Sequence, residues 1–278
     1  MAVQSASKLW PLIGKVDLLL GHYGGAGPYP QAFTNLDNVT KMIEAKKLAD
    51  VFVNRLVDTS IKLSAKYVMP YAGQYVLGGS LSRLNEFRSV TKLGEVLKSI
   101  STNSQAVPVG LQPFSTFDLT SGESEATWEE PTDQEVSDYI RNIEHELFPY
   151  QLREESWENA EDLIESALTS VGVEYLARGS LRVNDYRISV VAGDVAKTIQ
   201  FNSNQFTIED RISINVPNTT SLYFDPRLLK RLIIRAEAYK GFTQYHFNQA
   251  EIGAHIQWSR NGEYNSIVSL LNFMQVKI

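Results

Sequence analysis

The sequence predicts two regions of different class, an α/β segment followed by an α+β segment, and three observations carry that reading. Val16 and Leu18 to Leu20 form a short apolar run that breaks into a glycine-rich loop, GHYGGAGPYP. Residues 38–65 then place apolar side chains at helical spacing with no internal glycine or proline, and Tyr67 to Met69 reads as a further strand. After residue 135 the pattern changes to two helices and then to three short alternating segments divided by Asn-Asp, Ala-Gly-Asp and Asn-Ser-Asn breaks. That is the pattern of an antiparallel meander.

Each element follows from local chemistry. The first run is continuous rather than alternating, so it predicts a strand buried on both faces, ended by Gly21. The residues before it, ASKLWPLIGK, offer one short turn or helix but no strand to pair with it. The sheet is therefore expected to be completed from outside this segment. Val39, Met42, Ile43, Ala49, Val51, Phe52, Leu56, Ile61 and Leu63 give one long amphipathic helix. The strand after it should stop at Pro70 and Gly73, giving a right-handed strand, helix, strand unit. A helix over 89–99 and one or two strands within 107–119 close the first domain, 1–120. Residues 121–135, SGESEATWEEPTDQE, are polar and acidic and read as a linker or an exposed loop. The second domain, 136–278, is expected to hold helices over 133–147 (capped by Thr132) and 155–172. It continues with a half-exposed meander over 181–210, strands at 221–224 and 255–259, and helices over 226–236 and 264–274.

Composition excludes several classes. With 278 residues and 43% hydrophobic content, the chain can build sizeable cores. A net charge of −6 with interspersed signs argues against a phosphate-backbone footprint, so no nucleic-acid partner is evident. The absence of cysteine removes disulfides, thiolate nucleophiles and Cys-ligated metals, and fits a reducing compartment. No apolar run approaches the ~18 residues of a membrane span, and no signal peptide opens the chain. The expected location is the cytoplasm.

The stretches VDLLLGHYGGAGPYPQAF and YVMPYAGQYVLGGSLSRLNEF resemble the second half of the metallo-β-lactamase fold, in the branch that includes CMP-N-acetylneuraminate hydroxylases. LYFDPRLLKRLI and FNQAEIGAHIQWSRNGEYNSIVSLLNF are similar to the domain that follows that fold in related bacterial proteins. The resemblance implies half of an αββα sandwich, followed by an antiparallel-sheet domain. It also implies that the His-x-His-x-Asp-His metal run belongs to the other half, since no such run occurs here. Where many members carry a last metal histidine, this chain reads Met69-Pro70-Tyr71-Ala72-Gly73; the hydroxylase-like branch also departs there. Zinc or iron would enter only through a partner chain carrying the missing half, and this chain assigns no metal ligand of its own.

Among the four histidines, His22 stands at the carboxy end of a parallel-type strand, where α/β sheets place ligands, and is the catalytic candidate. The other reading is a loop histidine satisfied by backbone. Tyr23, Gly24, Gly25, Tyr29 and Tyr71 are the substrate-binding candidates. The glycine-rich loop lacks the Lys-Ser/Thr of a phosphate-binding P-loop and the spacing of a dinucleotide site, so sharp chain reversal explains it better. His145 reads as a surface residue. His246 and His255 flank Glu251 and either meet at one site or form a polar seam. Glu129 and Glu130 read as solubilising charge, and Trp128 among them as a docking anchor. With neither a Gly-x-Ser-x-Gly elbow nor a cysteine, nothing makes this chain a self-sufficient enzyme.

Two functional readings follow. In the first, the chain completes a split metallo-β-lactamase-fold hydrolase. It shapes the substrate pocket, while a partner in a hetero-oligomer supplies the metal that activates water against an ester, amide or phosphodiester. In the second, it is a non-catalytic scaffold or interaction component of a multi-protein assembly.

Overall fold

A computed structural model describes residues 2–25, 27–152, 159–178, 183–213, 216–234 and 246–274. The chain is mixed α/β and divides into two compact units. The first holds residues 1–26, 38–78 and 82–145, the second 27–37, 79–81 and 146–278.

In the first unit, α1 (Ala2–Ile13) packs on α2 (Asn38–Lys62), and three parallel strands form a sheet in the order β1 (Leu18–His22), β2 (Tyr67–Tyr71), β3 (Val107–Pro108). α2 packs on β1, and α3 (Leu93–Asn103) packs on β2 and β3. Val53, Leu56, Val57, Val68, Val96 and Ile100 meet in the core between them. The strand, helix, strand unit is as expected, but β1 is not buried on both faces. Leu18 and Leu19 are half-buried, Leu20 is 57% exposed, and the strand runs on through Gly21 to His22. The reason is position: β1 is an edge, paired with β2 alone among the described residues.

β2 also runs through Pro70 rather than stopping there. The N–H of Val109 donates to the carbonyl of Val68, so Val68 turns its backbone toward β3 and, by alternation, Pro70 does too. β3 has ended by then, its last partner being Val68, so the donor that proline lacks falls where no ladder asks for it.

A 3₁₀ helix, Gly79–Phe87, occupies what reads as loop, and α3 begins at Leu93 rather than Ser89. Residues 107–119 yield only β3 and one strand of a two-stranded ribbon, β4 (Phe117–Asp118) with β5 (Glu123–Ser124). Residues 121–135 carry β5 and lead into α4 (Asp133–Ile143) within the first unit. Thr132 caps α4 as expected: its hydroxyl accepts from the Glu135 N–H while the Glu135 carboxylate accepts from the Thr132 N–H.

In the second unit, α5 (Ala160–Ala177) precedes β6 (Asn184–Ala192), β7 (Val195–Asn202) and β8 (Gln205–Glu209), which pair as the expected antiparallel meander. The expected helix start at 155 lies outside the described residues, as do 181 and 182 of the meander and the expected end of the helix at 236. β9 (Thr219–Phe224) then joins β6 in parallel, and β10 (Gln257–Asn261) closes the order β10-β9-β6-β7-β8. The sheet is thus mixed, and it is not half exposed. Ile188 and Val190 are buried on one face and Ser189, Thr198 and Ser221 on the other. Alternation marked these hydroxyls as solvent-facing, but they lie in a covered row. α6 (Pro226–Ile233), α7 (Phe247–Ile252) and a closing 3₁₀ helix (Ser266–Phe273) complete the unit, the last taking the place of the expected α-helix.

Candidate functional site

The carboxy ends of β1 and β2 bring His22 and Tyr71 into the same register position, both exposed. The His22 ring lies 6.3 Å from the ring of Phe52 on α2, and no hydrogen bond fixes it among the described residues. As it stands, His22 is an imidazole free to reorient at a sheet end, without the partner that aims a general base.

The loop that follows is built for close approach. A Cβ on Gly25 would meet the Phe52 ring at 2.2 Å, and one on Gly73 would meet the Tyr23 ring at 2.2 Å, so the loop lies flat on α2 and on the turn after β2. Tyr23 belongs to the core and is 3% exposed. Burial, with the nearby Glu130 carboxylate, pushes its phenol up to about 12. It therefore stays protonated at neutral pH and can act as a hydroxyl, not as a base. Tyr29 belongs to the second unit, where its ring packs edge-on against Phe33 at 5.0 Å. The structure thus groups His22, Tyr23, Gly24, Gly25 and Tyr71 in the first unit and places Tyr29 in the other.

Next along the first unit lies a cavity of about 610 Å³, lined by Gln74, Tyr75, Arg88, Lys92, Glu130 and Tyr139 among others. Glu130 is not a solvated charge. Its carboxylate accepts hydrogen bonds from Gly94 N–H at 2.9 Å, Trp128 Nε1–H at 3.0 Å and Gln74 Nε2–H at 3.0 Å. Burial alone would raise its pKa, but these donors and the Lys92 charge hold it below the usual glutamate range. Trp128 likewise packs against the first unit's core, which removes it as a free docking anchor. Arg88 lies over the Tyr75 ring at 5.7 Å and donates through Nε to the Asn85 carbonyl, while burial draws its pKa down. Lys92 pairs with Asp133 at 2.7 Å. Sequence reasoning missed this cavity because its walls come from stretches some fifty residues apart.

The remaining histidines serve separate roles. His145 is exposed beside Glu144. His246 precedes α7, its N–H donating to Gln249 Oε1. His255 is half-buried, with Nδ1 3.1 Å from the Tyr150 hydroxyl and its ring edge-on to Phe148 at 4.5 Å. No contact joins His246 to His255 among the described residues, where no group of three His, Asp or Glu could hold a metal ion either. The residues described here therefore do not fit a metal centre of their own.

The fold and these sites define a mixed α/β protein whose first unit has an unpaired sheet edge among the described residues. No family model matches the chain, and no curated protein matches it. Among solved structures it is similar to one described as UbiJ-SCP2 Ubiquinone synthesis protein, at 9% identity and a TM-score of 0.25, covering 41% of this chain and 89% of that chain. A likeness that low carries no argument about function.

Proposed function

We propose that this chain supplies one half of a metallo-β-lactamase-like αββα fold, that a partner polypeptide adds the other half along the free edge of β1, and that the assembly is a hydrolase. The observation that carries the reading is the state of β1. It is an apolar strand with one edge unpaired among the described residues and Leu20 57% exposed, in a unit whose helices also expose Leu12 at 80% and Val39 at 68%. An open strand edge beside exposed apolar side chains is what a protein normally covers. In the completed fold His22 and Tyr71 stand at the sheet end facing the substrate, with the flat Gly24-Gly25 loop allowing its approach. Any metal would be held by residues of the partner. The resemblance in VDLLLGHYGGAGPYP supports the same reading.

Native purification of the untagged chain, read by intact-complex mass and metal content, tests this. Co-purification of a stoichiometric second polypeptide, with the β1 backbone amides that face away from β2 protected from hydrogen exchange only in the complex, is the expected result. A lone chain with those amides already protected overturns it and leaves the scaffold reading.

A further inference from the structure

The cavity of about 610 Å³ beside Glu130 contains one unanswered charge, and does so whether or not a partner completes the sheet. Its charged lining is four carboxylates, Glu86, Glu130, Asp133 and Glu135, and two cations, Arg88 and Lys92. Five of the six are accounted for. Glu130 accepts from Gly94, Trp128 and Gln74, and Asp133 pairs with Lys92 at 2.7 Å. The Glu135 carboxylate accepts from both the N–H and the hydroxyl of Thr132 at 2.8 Å. Glu86 is exposed to water and attracted to Lys41.

Arg88 is the sixth. Its guanidinium is held at the cavity wall without using its outer donors: Nε donates to the Asn85 carbonyl at 2.9 Å and the group lies over the Tyr75 ring at 5.7 Å. Asn85 and Tyr75 line the same cavity. Neither Nη group has a hydrogen-bond partner among the described residues, and neither is sealed in the core. Burial draws the pKa of Arg88 down, so its charge is also partly stripped of water. A half-buried guanidinium, stacked on a ring with two parallel donors idle, is prepared for a planar anion. Beside it, Val76, Val90, Val136 and Tyr139 give the cavity an apolar wall.

We propose that this cavity binds a small organic acid, its carboxylate on the two Nη groups of Arg88 and its apolar body against Val76, Val90, Val136 and Tyr139. One fork matches one carboxylate. A phosphate would ask for donors that a single fork does not supply, and would bring a second negative charge toward Glu86 and Glu130. An amine or a neutral apolar molecule would leave Arg88 unanswered. The volume lies in the range of small-molecule sites.

The test is titration of the full chain with benzoate and with hexanoate, followed by amide NMR shifts at residues 74–76, 88–92 and 133–139. Acetate supplies the charge without the body, benzyl alcohol the body without the charge, and inorganic phosphate the other anion, all at matched ionic strength. Saturable shifts with at least one of the two acids are expected, with the three control compounds binding about tenfold more weakly or less. Arg88→Lys, which keeps the charge and loses the fork, should weaken binding of that acid about tenfold. Tyr139→Ala, at a residue 56% exposed on α4, should weaken it several-fold. Arg178→Lys, on an exposed ion pair of the second unit, should leave it unchanged. Absence of saturable binding by both acids, a control compound binding as tightly as the acids, or either cavity variant binding like the parent would overturn the proposal. Should Arg88→Lys fail to fold, Tyr139→Ala and the comparison of compounds on the parent chain decide the matter.

Discussion

Leu20 on β1 and Leu222 on β9 are the same side chain in a short apolar strand, yet one is 57% exposed and the other wholly buried. The difference lies in neighbours. β9 sits between β10 and β6 in a five-stranded sheet, whereas β1 has β2 on one side and nothing on the other among the described residues. The second unit covers both faces of its sheet's central strands with its own residues, down to a row of hydroxyls buried on the second face. The first unit leaves its edge strand partly bare. An apolar run therefore specifies a strand, and its coverage is set by what else the chain, or a partner, brings to it.

The largest effect separates the two strands by mutation. Leu222→Ala should cost about 2–5 kcal/mol, because its cavity cannot collapse within a paired sheet. Leu20→Ala should change stability by no more than about 0.5 kcal/mol in the isolated chain. Urea unfolding of the full chain, followed by tryptophan fluorescence, reads both. Comparable costs at the two sites would mean that β1 is already covered in solution, and the contrast between the units would fail.

Gly73→Ala tests the first unit where it is tight rather than open. The new methyl group would sit 2.2 Å from the Tyr23 ring, inside a contact that only displacement of the ring or of the turn can relieve. A loss of about 1–3 kcal/mol is expected in the same urea experiment. A neutral outcome would show that residues 23–25 do not lie against the turn after β2, and the candidate site at His22 would lose its floor.

What could be read in advance, and what could not, follows the range of the interactions. α2 and the meander have periodicities carried by residues a few positions apart, and the α4 cap is a three-residue signal, Thr132 to Glu135. Burial of Ser189, Thr198 and Ser221 has no such signal: alternation assigns a serine to solvent unless a second hydroxyl waits in the next strand. Glu130 reads as one more acid in an acidic stretch because its donors, Gln74 and Gly94, lie 56 and 36 residues away. His22 was legible as a strand-end residue, whereas Arg88 stands out only once the cavity it shares with Glu130 is assembled in space.

Glu130→Gln should cost about 1–2 kcal/mol, since all three of its bonds come from donors that favour the charged acceptor and the α3 amino end loses its anion. Its depressed pKa also places a pH dependence in the first unit. Stability from the carboxylate is present above the unfolded glutamate value of 4.5 and is lost as the pH falls through the lower folded value. Thermal unfolding of the parent chain between pH 5 and pH 3 should show a decline that Glu130→Gln flattens. An unchanged acid limb would mean that the Gly94 and Trp128 bonds do not form.

The smallest effect lies in the second unit and at a higher pH. Burial holds the pKa of His255 below the usual histidine value of 6.5, so the unfolded chain takes up this proton first as the pH falls. The stability due to the neutral ring is therefore complete above 6.5 and declines as the pH drops through the folded value. A bare Nδ1 accepts from the Tyr150 hydroxyl, whereas in the protonated ring that nitrogen is a donor to the phenol oxygen. Tyr150→Phe should cost about 0.5–1.5 kcal/mol at pH 8, and its cost at pH 5 reads how far the ring proton alters that bond. Unfolding of parent and variant at the two pH values separates this from the carboxylate limb, which begins only below 5. If the two chains differ by the same amount at both, the Tyr150–His255 bond is insensitive to the ring proton. The acid sensitivity of the molecule would then rest in the first unit alone.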